Sequence, residues 1–304
     1  MNILNFGSLN IDFVYSLEHF VQRGETITSR DLQIFSGGKG LNQSVALGRA
    51  GISVYHAGAI GEDGQFLLEV LKGAGVHTET VRIVHKERTG NAIIQKEPSG
   101  DNCIILYSGA NRTITRQHID ETLALFSPGD FLLLQNEIND IAYIAEEAHK
   151  KGMIIFFNPS PMDENIFTVP LECIDYFILN EIEARQLLDC QDNSMENLPG
   201  KILAARLLDQ FPYAHFVLTL GKEGAIYIDK DGSIEQAIYE VPVVDTTAAG
   251  DTFTGFFIAS LTQGLSVKQA LDRATKASAI TVSRMGAAPS IPTAEEVDNF
   301  ILSS

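Results

Sequence analysis

The residues of this chain best placed to do chemistry are four neighbours, Ala248, Ala249, Gly250 and Asp251. The three small ones let a bound group approach the backbone closely. Phe253, Phe256, Phe257 and Leu261 follow at helical spacing and Gly264 is a stop signal, so the four stand at a helix start. Free N–H groups and the helix dipole make such a start an anion site. An aspartate there would repel the anion, unless its task is to take a proton from a hydroxyl while the amides hold a phosphate. An ordinary strand–turn–helix with an acid in its first turn accounts for the same residues when they are read alone.

Two further groups carry chemistry. Asn10 and Asp12 alternate just past the first apolar run, so in an extended chain they point the same way and can grip neighbouring sugar hydroxyls. A polar strand end with an Asx turn would look the same. Residues 36–43 read Ser-Gly-Gly-Lys-Gly-Leu-Asn-Gln. The spacing fails both the P-loop pattern, where Gln33 stands in place of the first glycine, and G-x-G-x-x-G, where Gln43 stands in place of the last. Polyol binding by the glycine backbone at Gly38 and Gly40, with Lys39 and Asn42, fits better than a nucleotide cradle. A plain glycine-rich turn is the alternative.

The elements that must position these groups are legible in outline. Ile3 to Phe6 is a first strand, and Phe131–Gln135, Met153–Phe157, Tyr176–Leu179 and His215–Leu220 are apolar runs suited to buried parallel strands. Helical patterns at Ile141–Lys151 and Lys201–Phe211 alternate with them, which predicts a mostly parallel sheet with helices on both faces. Val241 to Val244, three valines around a proline, predicts one more buried strand, ending at Asp245. Glu137, Asn158, Asn180 with Glu183, Thr219 with Gly221, and Asp245 then recur at strand ends, where such sheets bind ligands. A helix pattern that starts near Gly40 and stops at Gly51 follows the glycine loop. Another, from Val267 to Met285, buries Ala270, Leu271, Ala274, Ala277 and Ile280 and leads into a stiff loop, Gly286 to Pro292. Segments 13–36 and 89–110 are β-rich: Glu25–Ser29 and Leu32–Phe35 read as strands, and Asn91–Gln95 with Cys103–Tyr107 as a hairpin around Pro98–Asn102. They pair as a small sheet too thin for its own core, hence a lid or a dimer surface.

Composition bounds the partners. The 304 residues suit one large α/β domain or two ordinary ones, with no clear linker to divide them, and a net charge of −17 argues against nucleic acid or an anionic membrane as main partner. Cys103, Cys173 and Cys190 are few and widely spaced, which predicts reduced thiols in the cytoplasm, and the histidines show no metal-ligand spacing. The start, MNILNFGSLNID, reads as neither a signal peptide nor a membrane span.

In combination the motifs resemble the ribokinase-like (PfkB-type) family of carbohydrate kinases. GSLNID, GGKGLNQ at 37–43, NEIEA at 180–184, TLGKEG at 219–224, DTTAAGDTF at 245–253 and RMGAAPS at 284–290 fall in the family's order almost end to end. The resemblance implies one ribokinase-like domain over 1–304: an α/β three-layer sandwich with a mostly parallel central sheet and a small β-sheet lid. It implies ATP-dependent phosphorylation of the 5-hydroxyl of a furanose, ribose by preference, in a homodimer joined through the lid. On that resemblance Asp251 is the base, and the amides of Ala248, Ala249 and Gly250 form the anion hole. Asn10, Asp12, Gly38, Lys39, Gly40, Asn42 and Glu137 match sugar-contacting positions. Asn180, Thr219, Gly221, Lys222, Gly224 and Gly250 match nucleotide-contacting ones, Glu183 the acid that orients hydrated Mg²⁺, and Asp245, Thr247, Thr281, Arg284, Gly286 and Ser290 a K⁺ site. The chain departs from the family pattern at Thr275, where a histidine often packs near adenine, and after Glu137, which is followed by Ile-Asn-Asp. Arg23 and Arg30 in the lid segment are surface charges or contacts to a sugar phosphate. Kinases of the same fold for another sugar or a nucleoside, and a non-catalytic sugar sensor, are the alternatives.

Overall fold

The structure is a computed structural model and describes residues 1–99, 101–188 and 198–301. Cys190 and Gly100, the latter in the predicted hairpin turn, lie outside the described residues. The chain opens with β1 (Ile3–Phe6), β2 (Asn10–Ser16), β3 (Asp31–Gly37), α1 (Lys39–Arg49), β4 (Val54–Ile60), α2 (Gln65–Gly73) and β5 (Val81–Ile83). It continues with β6 (Gly90–Lys96), β7 (Asn102–Tyr107), α3 (Arg116–Leu123), β8 (Phe131–Gln135), α4 (Ile141–Lys150), β9 (Ile154–Asn158), β10 (Tyr176–Asn180) and α5 (Glu181–Leu187). The last third holds α6 (Gly200–Gln210), β11 (His215–Thr219), β12 (Ala225–Asp229), β13 (Gly232–Gln236), α7 (Ala249–Thr262), α8 (Val267–Val282) and α9 (Ala294–Asp298).

Nine strands form the central sheet in the order β13-β12-β11-β10-β9-β8-β1-β4-β5, parallel from β11 to β5 and antiparallel at β12 and β13. Its inner strands are apolar on both faces because both are covered. In β8, Phe131 and Leu133 enter the core shared with α1, α2, α7 and α8, while Leu132 and Leu134 enter the core shared with α3, α4, α5 and α6. The predicted layers are therefore present, with helices on each face of one sheet.

A second sheet, ordered β3-β2-β6-β7, stands apart. Its register sets Ile34 against Phe13, Phe13 against Ile93, and Ile93 against Ile105. These four share one face, and Ile34, Ile93 and Ile105 are exposed on it. Asp12, one residue along, faces the other way.

Two expectations fail for physical reasons. Glu25–Ser29 is a loop, because β2 already pairs with β3 on one edge and β6 on the other. Val241–Val244 is not a buried strand: Pro242 lacks an N–H, Val243 and Val244 are 65% and 52% exposed, and Val244 N reaches only the Val282 carbonyl. Asp245 accordingly follows a loop, not a strand. Among the described residues no helix is long and apolar enough to cross a membrane.

Candidate active site

The carboxyl ends of β9, β10 and β11 and the start of α7 enclose a cavity of about 220 Å³. Lys39, Asn158, Asn180, Glu183, Thr219, Ala248, Ala249, Gly250 and Asp251 are among its walls, so residues scattered over more than 200 positions meet where an open α/β sheet binds ligands. Ala248 makes the turn. Its φ of 61° is left-handed, unusual for alanine, and it swings the chain so that α7 begins against the cavity. Of the first amides, Ala249 N is partly engaged by the Thr246 carbonyl at 3.3 Å. Gly250 N and Asp251 N have no hydrogen-bond partner among the described residues and lie in the first turn, open to an anion.

Asp251 is buried, and both its oxygens accept from α1: Oδ2 from Asn42 Nδ2 at 3.2 Å, Oδ1 from Gln43 Nε2 at 2.9 Å. Asn42 Oδ1 is buried without a hydrogen-bond partner. Lys39, one turn earlier, lies within the field of Asp251, Glu137 and Glu183. Burial alone would lower its pKa, but the three carboxylates together push it up, so the ammonium is retained in an otherwise acidic chain.

Beside Lys39 lies the predicted sugar grip. Glu137 Oε2 accepts from the Ser8 hydroxyl and from Lys39 N, the latter at 2.9 Å, which ties the β1–β2 turn to the start of α1. Burial raises the Glu137 pKa, partly opposed by Ser8 and Lys39. Asp12 is pushed up to about 6, first by burial and then by Glu137. Gly37 and Gly38 permit this packing: a β-carbon on Gly37 would overlap the Asp12 carboxyl, and Gly38, at φ 92°, passes close to Asn10 N and Ser8. Asn10 Oδ1 accepts from Asn111 Nδ2 at 2.8 Å, while Asn111 also brackets the Leu9 backbone, accepting from its N–H at 3.0 Å and donating to its carbonyl at 3.3 Å. With its oxygen held, Asn10 presents its nitrogen to a ligand as a donor.

Asn180 caps α5, its side chain accepting from Glu183 N while Glu183 Oε2 accepts from Asn180 N at 3.0 Å. Glu183 Oε1 has no partner among the described residues. No group of three or more His, Cys, Asp or Glu able to hold a metal ion occurs among those residues. Gly221, Lys222 and Gly224 stand past the end of β11, and are not among the cavity's walls. Thr275 is buried in α8 and donates to the Leu271 carbonyl at 2.8 Å, also away from the cavity.

Of the predicted monovalent-cation set, Asp245, Thr247 and Gly286 are drawn together. Asp245 Oδ1 accepts from Thr247 N and Oγ1 at 2.9 and 2.6 Å, and Oδ2 accepts from Gly286 N at 3.1 Å. These bonds overcome partial burial and hold the Asp245 pKa below the ordinary range. Thr281 is buried, its hydroxyl 3.0 Å from both Thr252 Oγ1 and the Ala277 carbonyl, Ser290 donates to the Ala287 carbonyl, and the Arg284 side chain turns out to Glu296. What this set offers a cation is the Asp245 carboxylate, a hard oxygen donor. In the lid, Arg30 pairs with Glu18.

Sequence reasoning missed Ser8, Gln43, Asn111 and Gln135. Gln43 had a signal: Asn42, Gln43 and Ser44 are a polar run in a helix that also carries Leu41, Val45 and Leu47, and α1 is buried from Gly40 to Leu47.

Known proteins resemble this chain over nearly its whole length. The family model described as pfkB family carbohydrate kinase matches residues 2–294. A ribokinase from Haemophilus influenzae is 34% identical over 299 residues, covering 97% of this chain and 96% of that protein. The crystal structure of a Cryptococcus neoformans ribokinase in complex with ADP superposes with a TM-score of 0.86 at 34% identity, over 98% of each chain. An Arabidopsis thaliana ribokinase complexed with ribose and ATP superposes with a TM-score of 0.85 at 29% identity, over 97% of this chain and 96% of that one.

Proposed function

This chain belongs to the pfkB family of carbohydrate kinases, and we propose that it transfers the γ-phosphoryl group of ATP to the 5-hydroxyl of D-ribose. The observation that carries the reading is the position of Asp251, in the first turn of α7 beside unpartnered amides and facing the sugar-grip residues of α1. Asp251 takes the hydroxyl proton. The amides at the start of α7 hold the phosphoryl oxygens as charge shifts onto them, and Lys39 adds a positive charge in the same cavity. One aimed donor of this kind is worth about 3 kcal/mol, and a positioned base roughly 10² to 10⁴ in rate. Asp12 accepts and Asn10 donates to adjacent sugar hydroxyls, a pairing that favours a vicinal diol. Asn180, Thr219 and the turn 221–224 lie on the nucleotide side.

Bound Mg²⁺ would neutralise phosphate charge, with Glu183 orienting its water. A K⁺ ion would stiffen the loop that Asp245 ties to Gly286, next to the start of α7. The apolar lid face supports a homodimer, and the free Cys103 and Cys173 suit a reducing cytoplasm. The test is ADP release across a panel of ribose, 2-deoxyribose, fructose and nucleosides with Mg²⁺ and K⁺ present. Highest kcat/KM on ribose is expected. Preference for a nucleoside overturns the choice of sugar, and ribose binding without ADP formation overturns catalysis.

A further inference from the structure

Behind Asp251, away from the cavity, runs a file of buried side-chain amides, Asn5, Gln135 and Gln43. We propose that this file, ending at Gln43, decides which oxygen of Asp251 receives the proton: Oδ1 is kept as a fixed acceptor and Oδ2 is the basic atom. The inference rests on the reading of Asp251 as the base.

The direction of each amide is forced from both ends. The Gly40 carbonyl can only accept, so Asn5 turns its nitrogen to it, at 2.8 Å, and to Ser44 Oγ at 2.8 Å. Asn5 Oδ1 therefore accepts from Gln135 Nε2 at 2.9 Å, and the same nitrogen donates to Gln43 Oε1 at 2.6 Å. Gln43 is left with its nitrogen forward, donating to Asn158 Oδ1 at 3.0 Å and to Asp251 Oδ1 at 2.9 Å. The carboxylate, at the other end, can also only accept. Each amide nitrogen makes two hydrogen bonds, and turning any one over would set like against like in a buried site.

The two Asp251 oxygens are thus unequal. A proton arriving on Oδ1 would collide with a donor that has no other arrangement. Oδ2 accepts only from Asn42 Nδ2, at the longer distance of 3.2 Å, and Asn42 stands outside the file with its own Oδ1 unpartnered. Its amide is free to turn over and accept from a protonated Oδ2. In the transfer, the sugar O–H bond breaks and its proton goes to Oδ2. The oxygen's electron pair forms the new O–P bond, and the bridging P–O bond breaks with its pair leaving on ADP. Gln43 is in this sense a positioning residue, since it acts on the base and not on the sugar.

The test compares wild type with Gln43→Leu, Gln135→Leu and the double variant, using the full chain. Gln43→Leu is expected to lower kcat 10- to 100-fold with KM for sugar and ATP within threefold. Gln135→Leu, which removes the donor to Gln43 Oε1 and leaves the amide held only at its nitrogen, should lower kcat less, and the double variant should be no slower than Gln43→Leu, because the file acts only through Gln43. A kcat within twofold of wild type, a defect confined to KM, or effects that multiply in the double variant would each overturn the proposal. If Gln43→Leu does not fold, Gln135→Leu carries the same kcat-against-KM test. A crystal structure of whichever variant folds gives a readout independent of turnover: Asp251 is expected to rotate, and an unmoved carboxylate overturns the idea. Should wild type prefer another sugar, the reading of ribose fails while the comparison is run on that sugar.

Discussion

Asp251 and Asp12 are the two aspartates of the site, and their surroundings give them different tasks. Asp251 accepts an amide on each oxygen, whereas the Asp12 carboxyl has no hydrogen-bond partner among the described residues and lies beside Glu137. Asp251→Asn keeps the shape and an acceptor for Gln43 but removes the base. Its kcat should fall about 100-fold or more, with nucleotide affinity by calorimetry and melting temperature near wild type. Asp12 carries a pH dependence whose sign can be worked out. Its pKa of about 6 in the fold lies above the ordinary 3.8, so the folded state prefers it protonated. The stability it contributes is fully present below 3.8 and lost as pH rises through 6, a cost of about 3 kcal/mol at neutral pH. Asp12→Asn should therefore raise the melting temperature at pH 7.5 and have little effect at pH 4, while weakening sugar binding at pH 7.5 far more than at pH 4. In wild type, KM for the sugar should rise as pH falls below 6, because the protonated acid no longer accepts from two hydroxyls. Steady-state kinetics and thermal melts across pH 4–8 check both trends.

At the scale of elements, the site depends on α1 and α7 lying very close. Gly255 sits one turn after Asp251 on the same face, and a β-carbon there would overlap the Ala46 side chain and come within 3.0 Å of Leu47 N. Gly255→Ala should cost about 1–3 kcal/mol in denaturant unfolding. It should also lower kcat, by moving Asp251 away from Asn42 and Gln43. This dependence explains what was legible beforehand. The inner strands could be read because burial on two faces writes unbroken apolar runs. Asp251 could be read because an acid at an anion site is chemically odd. Gln43 could not, since glutamine announces no chemistry and its partner lies 208 residues away. Val241–Val244 misled because its β-branched residues fit a strand, yet Pro242 has no N–H for a ladder and Val244 N bonds to the Val282 carbonyl instead.

At the scale of the whole molecule, the row Ile34, Phe13, Ile93 and Ile105 presents three exposed isoleucines on one face of the small sheet. Ile105→Lys is expected to convert a dimer to a monomer in light scattering, leaving kcat measurable because Asp12 faces the other side of that sheet. The small sheet is joined to the large one by very little chain. Only Gly7, Ser8 and Leu9 separate β1 from β2, and the register places Asn10 in one row with Gly37 and Gly90 at the base of the lid. Such a sheet has no slack hinge. In the proposed homodimer, load applied at the far edge by the second subunit would pass to Asn10 and Asp12 at the base of the sheet. Filling one site of that dimer would then change the stiffness of the other. Sugar saturation should depart from a hyperbola in wild type and return to one in Ile105→Lys, which a Hill plot of initial rates would read directly.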